Sequence, residues 1–512
     1  MYVKILSGAL KGIEAYKVEI EVTQKFAQLP DFKLVGLPDT AIKESYHRIK
    51  AAFANVGYPF PSNSRLTINL APSSTKKEGT IYDLPIAIGI LAVNEMVKIE
   101  KLEKYLIVGE LALDGRVRAI RGILPFTLLA QELKLKGIIV PDDNKNEAAI
   151  VKGIEVIPVR TLKETAGFLN EQFIIAPYKC ETPLKFEEIP EEYDFSYVRA
   201  QQFAKRALLI AVAGMHNCLM IGPPGIGKTM LAKRVVSILP PLSYQEAIET
   251  TRIYSVGGLL EQEKYIITTR PFRAPHTSIS EAGILGGGNN LRPGEISFAH
   301  NGVLFMDEFP EFHRNIIEAL RQPLEEYKIT IGRATGSVTY PAKFMLIAAM
   351  NPCPCGYFGH PIKSCKCTYK AIKQYRNKIS NPILDRIDIH IELSEPTGEE
   401  LVGEKKEETS FELRKKVLSA HLRQKERYKN ENVLYNSQLN IKQIEKYCAI
   451  DHESKNFLKH IIDNTNLSAR AYHKILRVSR TIADIENSEK IQQEHIAEAI
   501  QYRTLDKELT FY

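Results

Sequence analysis

A multidomain α/β protein is the fold class this sequence predicts. Three observations carry that reading: a length that needs several cores, β-like and helical runs that alternate through two separate stretches, and a final hundred residues of helical period alone. At about 150 residues per folding unit, 512 residues make roughly three to four units, each able to bury its own apolar interior without disulfides. Hydrophobic content of 44%, charged content of 25% and a mean hydropathy of −0.18 exclude a disordered, collagen-like or membrane-embedded chain. No apolar run approaches the roughly 18 residues that span a bilayer, and MYVKILSGALKGIEAYKVEI has neither the basic start nor the cleavage site of a signal peptide. The expectation is a cytoplasmic protein without a membrane partner, its cysteines thiols or metal ligands. The net charge of +7, from 68 Lys+Arg against 61 Asp+Glu, is too slight to mark a nucleic-acid binder unless the basic residues cluster.

Taken in order, residues 1–171 alternate β-like runs (Val18 to Val22, Leu66 to Leu70, Tyr105 to Val108, Gly137 to Val140) with helical ones (Ile42 to Val56, Leu84 to Val93, Phe126 to Leu135). They read as an α/β domain. Residues 172–194, with three prolines and a run of acids, read as a linker. A second α/β region, 195–395, holds every chemically loud motif. A polar hinge follows at 396–409. Helical runs then fill 410–512: Phe411 to Tyr428, Ile441 to Tyr447, Lys455 to Asp463, Ala469 to Ile485 and Ile491 to Tyr502.

The strongest motif follows an apolar strand, Cys218 to Ile221. Gly222-Pro223-Pro224-Gly225-Ile226-Gly227-Lys228-Thr229 is the Walker A pattern in its strand–loop–helix setting. Glycines let backbone N–H groups close around phosphates at a helix N-terminus. Lys228 would reach the β- and γ-phosphates of ATP, and the Thr229 hydroxyl would ligate Mg²⁺. A second apolar strand ends in Asp307-Glu308, 79 residues beyond Lys228, as the Walker B pattern does. Asp307 would hold Mg²⁺ and Glu308 would act as general base on the attacking water. The gap is too long for one βαβ crossover, so it contains an insertion. A third strand, Phe344 to Met350, ends in Asn351, which either orients the lytic water or merely starts a turn. Arg386, in Asn381 to Asp388, is either a surface ion-pair partner or an arginine finger for a neighbouring subunit.

Four of the seven cysteines fall together: Cys353 and Cys355, then Cys365 and Cys367. Two C-x-C pairs around a short glycine-containing loop suit a structural Zn²⁺, although zinc pairs usually enclose two residues; free cytosolic thiols are the alternative. His360 lies inside the loop as a substitute ligand. From Lys363 to Lys378 six of sixteen residues are basic (Lys363, Lys366, Lys370, Lys373, Arg376, Lys378) and none is acidic, with Tyr369 and Tyr375 interleaved. Charges that track phosphates and rings that stack on bases suit single-stranded DNA; a solvated basic face is the alternative.

Walker A, DEFPEF, AAMN, LDRID and SARAYHKILRVSRTIAD together resemble the YifB/ComM family of magnesium-chelatase-like AAA+ ATPases, over nearly the whole chain. The resemblance implies an AAA+ core with a helix-2 insert, here Pro271 to Gly302, and a C-terminal helical lid. In the family the insert points into the pore of a hexameric ring, where Arg273, His276 and Arg292, with Arg270, would meet the DNA backbone. Arg386 would serve a neighbour's nucleotide, and Arg470 (with Arg477 and Arg480 as competitors) would couple the lid to it as sensor 2. The family resemblance makes the function an ATP-driven DNA motor, a helicase promoting branch migration during integration of transforming DNA; the alternative is a chelatase-type motor remodelling a protein partner. Residues 1–171 resemble the proteolytic domain of Lon through Leu66 to Pro72, Lys77 to Pro85 and Gly109 to Val117. Where Lon carries its serine after the Lys-acid-Gly turn this chain has Thr80, Ile81 and Tyr82, and Gly122 to Thr127 offers no lysine. A silent, non-proteolytic domain is expected.

Overall fold

The computed structural model describes residues 1–180, 191–260, 264–288, 291–333, 336–395, 407–465 and 468–503. Of the expected linker, 181–190 lies outside them, as do 396–406 of the hinge and 504–512 of the final region. The chain divides into two compact units, Met1–Lys185 with Tyr244–Ile267, and Phe186–Ser243 with Thr268–Tyr512.

The first unit is built on a seven-stranded mixed sheet. Strands β1 (Tyr2–Lys11) and β2 (Glu14–Phe26) form an antiparallel hairpin, β4 (Ser64–Ala71) pairs antiparallel with β2, and β3 (Asp31–Val35) runs parallel to β4 at the edge. On the other side β5 (Tyr105–Ile107), β6 (Gly137–Pro141) and β7 (Glu155–Val159) continue in parallel from β1, giving the order β3-β4-β2-β1-β5-β6-β7. Alternation along β4 buries Leu66, Ile68 and Leu70, as one covered face requires. The parallel strands are buried along nearly their whole length, as strands covered on both faces are. Helix α1 (Asp83–Val93) is buried at every residue. It can seat on β1 and β2 because position 89 is glycine: a Cβ there would stand 2.6 Å from Val22 and 2.7 Å from Ile5.

Part of this unit's core comes from far along the chain. The helix Tyr244–Gly257 and the residues after it lay Ile248, Tyr265 and Ile266 over Leu124, Ile150 and Val151. The Tyr244 hydroxyl donates to Ile150 O at 2.6 Å, and Arg252 to Ile13 O at 3.2 Å. The sequence reading assigned this stretch to the second α/β region. Periodicity shows that a helix face is apolar, not which core covers it.

The second unit holds a five-stranded, all-parallel sheet: β8 (Cys218–Ile221), β9 (Phe272–Arg273), β10 (Val303–Met306), β11 (Met345–Met350) and β12 (Ile389–Glu392), in the order β9-β10-β11-β8-β12. Five helices, Ser410–Arg427, Ile441–Tyr447, His452–Thr465, Ala469–Ile485 and Gln493–Gln501, lie within a few residues of the five helical runs. Their Leu413, Val417, Ile475 and Ile482 share one apolar cluster with Met220 and Ile347 of the sheet. The insert is not a bare loop. It carries short helices Glu281–Leu285 and Glu295–Phe298 and a two-stranded ribbon, Gly286–Gly287 with Arg292–Pro293. A hairpin that carries no sequence motif, Lys328–Arg333 with Gly336–Pro341, precedes β11. Among the described residues no helix is long and apolar enough to cross a membrane.

Candidate functional site

The sheet order puts β8 between β11 and β12, so the loop after β8 opens beside the ends of β10 and β11. Gly225 and Gly227 take φ of +83° and +90°, a backbone that L side chains avoid, and Gly227 caps helix α2 (Lys228–Ile238). The Lys228 ammonium is buried. It donates to Gly222 O at 2.7 Å, Pro223 O at 2.9 Å and Asn351 Oδ1 at 3.0 Å. Burial lowers its pKa, opposed by the carboxylates of Asp307 and Glu308. The Thr229 hydroxyl donates to Asp307 Oδ2 at 2.6 Å, and Asp307 Oδ1 accepts from the Glu308 N–H at 2.9 Å. Glu308 is exposed, on a left-handed backbone of φ +49°. Lys228, Thr229, Asp307, Glu308 and Asn351 thus meet at one end of three strands. A cation without a carboxylate partner in hydrogen-bond contact, facing a hydroxyl–carboxylate pair, fits a nucleotide triphosphate with Mg²⁺.

Arg386 lies at the other end of the same sheet. Asn217, just before β8, donates to Arg386 O at 3.0 Å, whereas Gly222, just after β8, receives Lys228. Four strand residues at about 3.3 Å each separate the two by roughly 13 Å. The Arg386 guanidinium pairs with Glu325 and Pro382 O, and its Nε is buried without a partner. Arg470 pairs with Asp385 at 2.9 Å. Its helix starts beside Asp385, on the Arg386 side of the sheet, away from the Lys228 cradle of the same chain. Both arginines line a cavity of about 420 Å³ with Glu325, Asp385, Lys474 and Arg477. Of the competitors, Arg480 is turned inward to Glu489 O and Ser488 O.

The four cysteine sulfurs lie within 4.8 Å of one another. Cys353 stands 3.4 Å from Cys355 and 3.7 Å from Cys365, and Cys355 stands 3.6 Å from Cys365. Sulfurs 2.3 Å from a tetrahedral zinc stand about 3.8 Å apart, so the set fits Zn²⁺. Backbone N–H groups of Tyr357 and Lys366 hold the Cys355 thiol down at about 6, while the neighbouring thiols push Cys365 and Cys367 up, so one proton leaves the set readily and the others are held. His360, the substitute ligand, is engaged elsewhere: its Nδ1 accepts from Ile362 and Lys363 N–H at 3.0 Å each, and its Nε2 faces Glu395.

Several residues chosen for DNA are placed differently. Lys366, Lys370 and Lys373 are exposed on or beside helix α3 (Tyr369–Arg376), and Lys363 lies over the Tyr357 ring. Arg376 instead turns inward, over the Phe358 ring and donating to Pro352 O at 3.1 Å. Arg273 is also spoken for, in a bidentate pair with Glu295 at 2.6 Å, while His276 and Arg292 are exposed. Arg270 is buried, donating to Pro240 O and Asn301 O. A single sequence marks these side chains as basic but not which way they point. It also passed over a buried polar set behind Arg386. His216 contacts Asp388 at 3.3 Å and Thr481 at 2.8 Å, Lys474 donates to Ile387 O at 2.8 Å, and Asn217 holds both Arg386 O and Leu346 N. The carboxyl of Asp388 is buried, yet Lys474 and His216 hold its pKa far below the usual range.

A parallel sheet with Walker residues at one end and arginines at the other defines a magnesium-chelatase-like AAA+ ATPase. The family models agree across the chain: magnesium chelatase, subunit ChlI, over residues 194–401; subunit ChlI of Mg-chelatase over 18–144; and the subunit ChlI C-terminal model over 407–503. The chain is 42% identical to the competence protein ComM of Haemophilus influenzae, covering 98% of this chain and 97% of that one. It is 40% identical to YifB of Salmonella typhimurium, over 98% and 96%. Likeness to the magnesium-chelatase 38 kDa subunit of Rhodobacter capsulatus is 24% over 31% of this chain and 50% of that one. The chain belongs to the YifB/ComM family of magnesium-chelatase-like AAA+ ATPases.

Proposed function

We propose that this chain is a ring-forming, ATP-driven DNA motor whose active sites are completed between subunits. The separation of Lys228 from Arg386 by the length of β8 carries this reading. Neither Arg386 nor Arg470 reaches the nucleotide cradle of its own chain, and both sit in one cavity, so both would serve a neighbour's γ-phosphate. In cis, the backbone of Gly222 to Gly227 and Lys228 would hold the phosphates, Glu308 would take the proton of the attacking water, and Asn351 would orient it. Mg²⁺, held by Thr229 and Asp307, would neutralise charge on the transferred phosphoryl group. A hexamer is the assembly that the family implies, with residues 1–171 a Lon-like domain without peptidase activity and 410–512 the lid.

The exposed lysines of α3 and the exposed His276 and Arg292 of the insert would contact single-stranded or branched DNA, with Zn²⁺ on the four cysteines holding the loop before α3. Near-full-length likeness to a competence protein supports transforming DNA as the substrate, on which the motor would promote branch migration. The chelatase family models support a second reading, a motor remodelling a protein partner. Purified protein should hydrolyse ATP faster with single-stranded or forked DNA and lose turnover with Lys228→Ala. Turnover indifferent to every DNA form would remove the DNA reading in favour of the second.

A further inference from the structure

We propose that Gly356 is a positioning residue for the Walker A turn, and that the cysteine loop sets the affinity of the nucleotide site. The inference rests on ATP binding at Lys228. Strand β11 runs without a break into the loop: Asn351 bonds Lys228, Pro352 follows, and Cys353 and Cys355 are the first two members of the sulfur cluster. Gly356 comes next. It is buried, with φ +85°, and a Cβ on it would stand 2.6 Å from Pro224 Cδ and 3.1 Å from Pro224 Cγ. The backbone of the cysteine loop is thus pressed onto the ring of a Walker A residue.

Helix α3 grips the same segment from the other side. Tyr375 takes a backbone hydrogen bond from Asn351, and Arg376 donates to Pro352 O at 3.1 Å. Lys370 and Lys373, on the same helix, are exposed. An anionic polymer on those lysines, or a metal on the four sulfurs, therefore acts on the element that carries Asn351 and rests on Pro224. Four sulfurs tied to one ion fix the loop against Pro224; four free thiols leave it to loop entropy.

Gly359 supplies the control. It lies in the same loop at φ +77°, but a Cβ there meets nothing within 4 Å. Gly356→Ala and Gly359→Ala thus share the left-handed backbone penalty and differ in the collision with Pro224. In the full chain, equilibrium binding of a fluorescent ATP analogue should weaken about tenfold in Gly356→Ala and stay within about twofold in Gly359→Ala, both retaining zinc by metal analysis. Adding Pro224→Ala to Gly356→Ala should recover part of that binding, and stripping zinc from the unaltered protein should weaken it as Gly356→Ala does. Equal effects of the two alanines, or zinc loss in Gly356→Ala alone, overturn the positioning role. Failure of the unaltered protein to bind the analogue instead overturns the nucleotide site itself.

Discussion

Of the four lysines buried among the described residues, Lys77 and Lys228, one in each unit, have nearly the same immediate chemistry. Lys77 is fully buried and donates to Pro72 O and to Thr75 O at 2.8 Å; Lys228 is buried and donates to Gly222 O and Pro223 O. Burial depresses both pKa values. The difference lies one step out. Lys228 also meets Asn351, and the Asp307–Thr229 pair lies beside it across a loop of left-handed glycines. Lys77 bonds the carbonyls of its own loop, between β4 and α1, and no carboxylate perturbs it. A buried lysine closes a loop in either place; it becomes chemistry only where strand ends bring an acid, a hydroxyl and an amide to the same point.

The comparison is sharpest under substitution. Lys228→Ala should abolish ATP turnover whereas Lys77→Met should keep it, each costing about 1–3 kcal/mol of stability by stranding buried carbonyls. Lost turnover in Lys77→Met would erase the distinction. Next in size, Arg386→Ala should lower turnover by about a thousandfold. Mixed with Lys228→Ala subunits it should regain part of it, since a mixed interface can pair an intact Lys228 with an intact Arg386. Absence of recovery in the mixture would place the arginine in cis. Glu308→Gln should cost at least about a hundredfold while still binding the nucleotide analogue.

Smaller is the triple change Lys366, Lys370 and Lys373 to alanine. Basal turnover should hold, and the salt dependence of single-stranded DNA binding should fall by about two in slope, at about 0.7 per phosphate contact. Smallest is an effect of pH on the first unit. Burial pushes the Glu147 carboxyl up to about 7, above its unfolded value of about 4.3, so the fold binds this proton more tightly than the unfolded chain does. Its contribution is present below pH 4 and is lost as pH rises through 7, at most about 4 kcal/mol in all. Glu147→Gln should flatten the melting temperature between pH 5.5 and 8.

The nucleotide half of the site was legible in the sequence because its groups sit at fixed steps along the chain: a strand, then Gly222 to Thr229; a strand, then Asp307; a strand, then Asn351. The cysteine cluster was legible for the same reason, two pairs twelve residues apart. Residues whose role depends on direction were not. Arg376 and Arg273 count as basic in a string, but one faces Pro352 and the other Glu295. His216 and Asn217 read as a polar cap before an apolar strand; only folding brings Asp388, Lys474 and Thr481 to them. The packing of helix Tyr244–Gly257 was hidden for a related reason, since its partners Leu124 and Ile150 lie about a hundred positions upstream.

That helix has a practical consequence for anyone wishing to dissect the protein. The chain changes unit between residues 180 and 191, at 243/244 and again at 267/268, so no single cut frees one from the other. Excising residues 1–185 would leave Ile248, Tyr265 and Ile266 without the apolar floor they now cover, and uncovered patches of that kind invite aggregation. A separately expressed AAA+ fragment should stay monodisperse only if residues 244–267 are replaced by a short polar bridge.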